Sequence, residues 1–255
     1  MVFSLNAACG SFIGTGRSNN EDNFYFHKKH LPVENNGLRT PLQYDGETRD
    51  PLVFAVFDGM GGESKGEEAA RISSEIFSSE YKELEELVVP GKEFLCVCCE
   101  KANVAVNQYR RDKQLSAMGT TVAAIYFFQN EVIACNIGDS KIFRIRDKKM
   151  LQISEDHTDE KIMSAMGIQK KPVLLQYIGI PDTEMAIEPS ISKGEIETGD
   201  IYILCSDGVT DVMDGKELYE IASRFEADEA VKQILAAVEC KNGTDNATII
   251  VIKIV

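Results

Sequence analysis

The order of the predicted elements favours an α+β sandwich over a parallel sheet. Strand-like segments come first, and two long helical segments follow them. A second group of strands, a second group of helices and one closing strand complete the chain. A parallel sheet would instead require strands and helices that alternate regularly. Three apolar strands also begin or end near an aspartate, which predicts a cluster of acids at one rim of the fold.

The first half of the chain predicts two strands, a loop and two helices. Apolar residues favour strands at 3–14 and 23–27, on either side of a charged turn. Residues 27–50 contain Gly, Pro and Asn at many positions, which is typical of a loop. Residues 64–87 and 91–113 carry apolar side chains at helical intervals among Glu, Ala and Lys, and we expect two long helices there.

The second half predicts a β-meander, an irregular segment and a second helical group. The meander strands are expected at 120–128, 132–137, 140–146 and 150–153. Glycines and prolines interrupt residues 156–189, which predicts a loop or flap. The remaining elements are a strand at 201–205, a short helix near 209–213, two helical stretches across 216–239 and a strand at 247–255. No linker divides the chain, so we expect one domain spanning 1–255 with a flap-like segment around 156–189.

Composition excludes several classes of function. The net charge of −14 leaves no basic footprint for nucleic acid or an anionic membrane. The seven cysteines are irregularly spaced without paired CxxC motifs, so they predict small buried hydrophobes rather than a zinc site. Neither a leader segment nor an apolar run of about 20 residues is evident. We therefore expect a cytoplasmic protein, and we expect it to be a monomer.

Three aspartates predict a metal site. Asp58 follows the apolar run 51–57, Asp207 follows the strand 201–205, and Asp245 precedes the closing strand. If the closing strand is antiparallel to the other two, the three carboxylates share one rim. At about 4 Å, like charges repel by roughly 4 kcal/mol at an effective dielectric of about 20, so the cluster requires protons or bound cations. Oxygen ligands favour Mg²⁺ and Mn²⁺. Each Asp-Gly pair, taken alone, is typical of a turn.

Six short motifs occur in order along nearly the whole chain. They are Arg17-Ser-Asn-Asn-Glu21-Asp22, Asp58-Gly-Met-Gly-Gly62, Met118-Gly-Thr-Thr121, Ile137-Gly-Asp-Ser140, Ser206-Asp-Gly-Val-Thr-Asp211 and Gly243-Thr-Asp-Asn246. Together they resemble the motifs of the metal-dependent protein phosphatases of type 2C in their bacterial form. The resemblance implies a four-layer α-β-β-α sandwich of two mainly antiparallel sheets. It also implies a protein serine/threonine phosphatase, with phosphoserine and phosphothreonine proteins and a cognate serine/threonine kinase as partners.

The resemblance also implies a set of metal ligands. The core ligands are Asp58, which bridges two ions, the Gly59 carbonyl, Asp207 and Asp245. Glu21 and Asp22 would hold metal-bound waters. Asp139, Asp207 and Asp211 would form a weaker third site. Two Mn²⁺ or Mg²⁺ ions would then generate a bridging hydroxide that attacks the phosphate directly, without a phosphoenzyme.

Two further positions bear on the mechanism. The guanidinium of Arg17 presents a planar fork that binds two phosphate oxygens, although a solvated surface arginine is the commoner role. Many eukaryotic relatives place a histidine after the Asp-Gly pair as proton donor, but here the residue is Met60. Methionine cannot donate a proton, so the general acid is unassigned. The family segment around His157 predicts a supporting role near the flap.

Three alternatives remain at this point. A two-metal phosphodiesterase would use the same acids. A pseudophosphatase would keep the fold and bind metal or phosphoprotein without turnover, but such relatives usually lack some of the acids that are present here. A purely structural interaction domain would leave the acid cluster unexplained. We therefore expect a serine/threonine phosphatase.

Overall fold

Two large β-sheets with helices on their faces make up the described part of the chain. The computed structural model describes residues 1–60, 65–86, 89–168, 170 and 172–255, with only the backbone of 85 and 86. The strands are β1 (Ser4–Phe12), β2 (Asn23–Phe26), β3 (Leu42–Glu47), β4 (Leu52–Phe57), β5 (Gly59–Met60), β6 (Gly119–Thr120), β7 (Val122–Phe128), β8 (Glu131–Ile137), β9 (Lys141–Arg146), β10 (Lys149–Gln152), β11 (Ser190–Glu195), β12 (Ile201–Cys205) and β13 (Ala247–Ile254). The helices are α1 (Gly66–Glu86), α2 (Gly91–Asp112), α3 (Glu160–Ala165), α4 (Asp207–Thr210), α5 (Gly215–Arg224) and α6 (Ala227–Cys240).

The strands form two antiparallel sheets. The six-stranded sheet has the order β10-β9-β12-β13-β1-β3, and the five-stranded sheet has the order β11-β8-β7-β4-β2. Every strand pair within them is antiparallel. A short additional pair joins β5 to β6.

Three apolar cores separate four layers. Along β4, Leu52, Phe54 and Val56 belong to the core between the two sheets. The alternate residues of β4 belong to the core beneath α1 and α2. A third core lies between the six-stranded sheet and α4, α5 and α6. Central strands are buried on both faces, which explains their continuous apolar runs. The predicted α-β-β-α sandwich is confirmed.

Two edge strands were missed by the sequence prediction. Residues 27–50 were predicted to be a loop, but β3 lies there and pairs with β1. The polar segment β11, which was not predicted, pairs with β8. Edge strands are half exposed and carry polar residues, so they lack the apolar run that identifies central strands. The segment 156–189 also contains the helix α3, which was not predicted.

The predicted long helices agree with α1 and α2, except that residues 64 and 87 lie outside the described residues. Asp214 caps the N-terminus of α5 through a capping box. Its side chain accepts the backbone N–H of Glu217, and the Glu217 side chain accepts the backbone N–H of Asp214. Of the described helices, none is long and apolar enough to cross a membrane.

Candidate active site

One end of the sandwich gathers the predicted acids, and we call it the acidic rim. Asp58 follows β4, Asp207 begins α4 just after β12, and Asp245 lies just before β13. All three line one cavity of about 590 Å³. The other predicted site residues that line it are Arg17, Glu21, Gly59 and Asp139.

The route by which the three aspartates meet differs in part from the prediction. β13 is antiparallel to β12, as expected, and Ser206 donates its backbone N–H to Thr248 at 3.0 Å. β4, however, belongs to the other sheet and does not pair with β13. Face-to-face packing of the sheets therefore brings Asp58 to the other two acids. The sequence alone could not show this, because an apolar run does not specify the sheet in which it pairs.

Close approach of the backbone joins the segments that carry Asp207 and Asp245. A Cβ atom at Gly208 would lie 2.0 Å from the Asn246 carbonyl oxygen. Only glycine fits at that distance. The Asn246 side chain also accepts the Glu21 N–H at 2.9 Å and donates to the Ile13 carbonyl at 2.6 Å. The loop that precedes β13 is thereby tied to the loop that carries Glu21.

Burial and mutual repulsion dominate the electrostatics of the rim. Burial, followed by the carboxylates of Asp22 and Asp207, raises the pKa of Asp58 well above its ordinary value. Burial also raises the pKa of Asp22, which is 2% exposed, to about 7. Ser206 Oγ donates to Asp22 Oδ2 at 2.7 Å and partly opposes that shift. Burial raises the pKa of Glu21 as well. These groups resist ionisation unless a cation offsets their charge.

The predicted third-site residues line an adjoining cavity of about 260 Å³. Asp139, Asp207 and Asp211 all contribute to it. Burial and then the charge of Asp207 raise the pKa of Asp139 to about 6. Lys141 lines the same cavity and forms an ion pair with Asp156.

Arg17 lies at the acidic rim and donates hydrogen bonds to Thr244 and Asp245, in the loop before β13. Its Nη2 atom is 2.7 Å from Asp245 Oδ1, and its Nε donates to the Thr244 carbonyl at 3.2 Å. About two-fifths of its side chain is exposed. The predicted phosphate-binding residue thus contacts a predicted metal ligand.

A sequence comparison decides the family. The family model described as protein phosphatase 2C matches residues 42–242. The chain belongs to the protein phosphatase 2C family. The resemblance and the predicted enzyme class, a bacterial-type protein serine/threonine phosphatase, are confirmed.

Named relatives and solved structures agree with this membership. The chain is 26% identical to the serine/threonine phosphatase stp of Listeria innocua over 238 residues, which cover 88% of this chain and 91% of that one. It is 27% identical over 264 residues to PstP of Mycobacterium tuberculosis, covering 98% of this chain and 45% of that protein. The catalytic domain of PstP, solved with two manganese ions, superposes with a TM-score of 0.77 at 25% identity over the full length of both chains. PppA of Pseudomonas aeruginosa, at 20% identity and a TM-score of 0.79 over both full lengths, shares the fold.

The side chains of this phosphatase fit hard divalent cations through their donor chemistry. Every titratable candidate ligand offers carboxylate oxygen, which suits Mg²⁺ and Mn²⁺. Within the described residues, no group of three or more His, Cys, Asp and Glu side chains is arranged as a ready-made metal cluster. Asp245 is bonded to Arg17, and Asp22 to Ser206. The fit therefore depends on charge and donor type, not on a preformed ligand shell.

Thr120 and Thr121, which the sequence analysis did not single out as site residues, hold the backbone of Asp58 in this phosphatase. Thr121 Oγ1 accepts the Asp58 N–H at 3.0 Å, and Thr120 Oγ1 donates to the Asp58 carbonyl at 2.8 Å. Thr121 Oγ1 also shares a hydrogen bond of 2.7 Å with Ser140 Oγ, next to Asp139. These hydroxyls fix the backbone of Asp58 and connect it to the loop of Asp139. The recurring motifs were the only signal in the sequence.

His157 holds the same loop from the other side. The Gly138 N–H donates to His157 Nδ1 at 3.3 Å, and the His157 N–H donates to the Gly138 carbonyl at 2.9 Å. The His157 carbonyl accepts the Leu175 N–H at 2.8 Å. Burial lowers the pKa of His157. The residue therefore joins the flap to the turn that precedes Asp139, in line with the supporting role that was predicted.

Proposed function

We propose that this phosphatase hydrolyses phosphoserine and phosphothreonine monoesters of proteins and that it requires two Mn²⁺ or Mg²⁺ ions. One observation carries the proposal: Asp58, Asp207 and Asp245 line a single cavity, and Arg17 lines it beside them. The named serine/threonine phosphatases among the relatives support the substrate class. The PstP structure with two manganese ions supports the choice of cation.

The proposed ligands follow from the residues that line the cavities. Asp58, the Gly59 carbonyl, Asp207 and Asp245 would hold the two core ions, and Glu21 and Asp22 would act through water. Asp139, Asp207 and Asp211 would hold a weaker third ion. Divalent cations supply Lewis-acid activation of water and offset the charge on phosphoryl oxygens.

The remaining roles belong to residues of the chain itself. Arg17 would bind two phosphate oxygens and orient the ester, because among the described residues that line the cavity it is the positive group beside the acids. Thr120 and Thr121 would keep Asp58 in place during turnover. Met60 also lines the cavity, and its thioether holds no proton to give to the leaving serine or threonine oxygen. We further propose a cytoplasmic monomer that opposes a serine/threonine kinase.

A metal-dependence assay tests the proposal. The protein is stripped with EDTA, dialysed, and assayed on p-nitrophenyl phosphate with added Mn²⁺ or Mg²⁺. We expect no turnover before metal is added and full recovery afterwards. Turnover that persists in EDTA would contradict the metal requirement, and no turnover with excess Mn²⁺ would favour a pseudophosphatase.

A substrate panel tests the bond and the side chain that are attacked. Phosphoserine, phosphothreonine and phosphotyrosine versions of one peptide are compared with bis(p-nitrophenyl) phosphate. We expect turnover of the phosphoserine and phosphothreonine peptides and little of the diester. Preference for the diester would instead indicate a phosphodiesterase.

A further inference from the structure

The catalytic cavity has an apolar wall in addition to its acids. The wall consists of Met60, Pro172, Val173, Leu174 and Tyr177, none of which carries a charge at neutral pH. We propose that this wall is a subsite for an aliphatic or aromatic residue that directly flanks the phosphorylated residue of the substrate. The inference depends on the proposed function, because it names the peptides that the same site would prefer.

The base of the wall is fixed next to Asp58. A Cβ atom at Gly119 would lie 2.5 Å from Tyr177 Cδ2 and 2.7 Å from Met60 Cε, so both side chains pack directly on this glycine. Thr120 and Ile178 exchange two backbone hydrogen bonds, of 3.0 and 2.9 Å. Tyr177 is therefore held beside the segment that bonds to Asp58. A preformed apolar surface binds a side chain with little loss of entropy.

Hydrogen bonds hold the backbone of Val173, in the outer part of the wall, while its side chain stays exposed. The Val173 N–H donates to Asp159 Oδ1 at 2.8 Å, and the Asp159 N–H donates to the Val173 carbonyl at 3.2 Å. Val173 is nevertheless 61% exposed. Several neighbours share this exposure, and within the described part of 156–189 the large exposed hydrophobics are Ile162, Met166, Ile168, Val173, Leu175 and Met185. Concentrated apolar exposure of this kind marks an interaction surface.

Continuity with the acids identifies the occupant. Arg17 and the carboxylates line the same cavity as the wall, so a bound phosphorylated side chain places its own peptide backbone within reach of Val173 and Leu174. The residue that meets an uncharged aliphatic surface gains most when it is apolar itself. A flanking Asp or Glu would in addition meet the acids. The substrate peptide is therefore the occupant that these observations favour.

Two phosphothreonine peptides test the subsite. They are identical except that leucine flanks the phosphothreonine on both sides in one and the near-isosteric asparagine does so in the other. A methylene-scale contact in an apolar pocket changes kcat/KM by roughly tenfold or more, and we expect about that preference for the leucine peptide. A third peptide, flanked by lysine, measures attraction by the acids alone.

Three variants locate the preference. We expect Val173→Asp and Leu174→Asn to reduce the leucine-to-asparagine ratio of kcat/KM to about threefold or less. Val104→Asp is the matched control, because Val104 is 58% exposed on α2 and does not line the cavity. It should keep the wild-type ratio. Because the readout is a ratio, a uniform effect of the new charge cancels.

The outcomes separate this inference from the proposed function. If wild-type protein with Mn²⁺ hydrolyses neither p-nitrophenyl phosphate nor any peptide, the proposed function is wrong, and the subsite with it. If it hydrolyses p-nitrophenyl phosphate, and if its kcat/KM is the same for the leucine peptide as for the asparagine peptide, only the subsite is wrong. A preference for the lysine peptide over the leucine peptide would also overturn it. An unchanged ratio in both wall variants would show that the preference arises elsewhere.

Discussion

At the acidic rim buried carboxylates face one another, whereas at the opposite rim of the sandwich a buried carboxylate faces an arginine. Asp200 precedes β12 at that opposite rim, and its side chain is fully buried. Arg146 Nε and Nη2 donate to its two oxygens at 2.7 and 2.6 Å, and the Tyr202 hydroxyl donates at 2.9 Å. At the acidic rim, near the other end of β12, the charges that act most strongly on Asp58 are those of other acids, Asp22, Asp207 and Asp139.

The difference separates a structural carboxylate from a ligand-binding one. A buried ion pair with complete hydrogen bonding needs nothing from outside the chain. A buried group of acids is stable only when protons or added cations neutralise it. The two rims therefore predict opposite responses to the same aspartate-to-asparagine change.

The largest expected effect is the loss of activity in Asp58→Asn. Several kcal/mol of transition-state stabilisation depend on the metal ligands, so we expect kcat with Mn²⁺ to fall roughly a thousandfold or more. Thermal unfolding without metal should stay at the wild-type temperature or rise, because a repelling charge is gone. The exposed Asp45→Asn is the control. Activity within tenfold of wild type would remove Asp58 from the site.

The same substitution at the opposite rim, Asp200→Asn, should reduce stability instead. It removes the buried partner of Arg146, which then keeps only its ion pair with the exposed Glu197. Breaking a buried pair typically costs about 3 kcal/mol or more. Urea unfolding measures the free energy, and kcat of the folded protein should remain near wild type. An unchanged midpoint would show that this ion pair contributes little.

The third expected effect is a pH dependence of metal-free stability that arises at the acidic rim, from Asp22. Asp22 has a folded pKa of about 7, against about 3.9 for an unfolded aspartate. The folded state therefore binds more protons between these values, and stability falls as the pH rises from about 4 through 7. We expect a loss on the order of a few kcal/mol by pH 8 in EDTA, measured by urea unfolding. Added Mn²⁺ should oppose the loss, and a stability that rises over this range would contradict the shift.

Arg17→Ala should act mainly on substrate binding. Loss of a charge-assisted phosphate contact is expected to raise KM roughly tenfold, with a smaller change in kcat. Arg49→Ala, an exposed arginine near the start of β4 at the opposite rim, serves as the control. Unchanged KM and kcat in Arg17→Ala would refute its assignment.

The smallest expected effect is that of substituting His157. It tests whether the hydrogen bond to Gly138, next to Asp139, supports the acidic rim. His157→Ala removes the acceptor for the Gly138 N–H, and we expect kcat/KM to fall about threefold to tenfold, as for one hydrogen bond. His157→Asn offers an oxygen near the position of Nδ1 and should restore most of the rate. Equal losses in both variants would indicate that packing, and not this hydrogen bond, explains the effect.

Local patterns were sufficient for much of the prediction. The two long helices followed from apolar residues at helical spacing, and β4, β12 and β13 followed from their apolar runs. The edge strands β3 and β11 did not, because half-exposed polar strands are defined by their partners. The motifs named all the candidate ligands in advance, and those roles remain proposals.

The sequence by itself determined which segments are buried and where acids interrupt them, because both depend on residues that are neighbours along the chain. Only the tertiary structure decided that β4 lies in a different sheet from β12 and β13, and that their ends still meet. It also decided the contacts of Arg17 with Asp245 and of Gly119 with Tyr177. Such contacts join residues far apart in the sequence, and sheet packing creates them, so no local pattern records them.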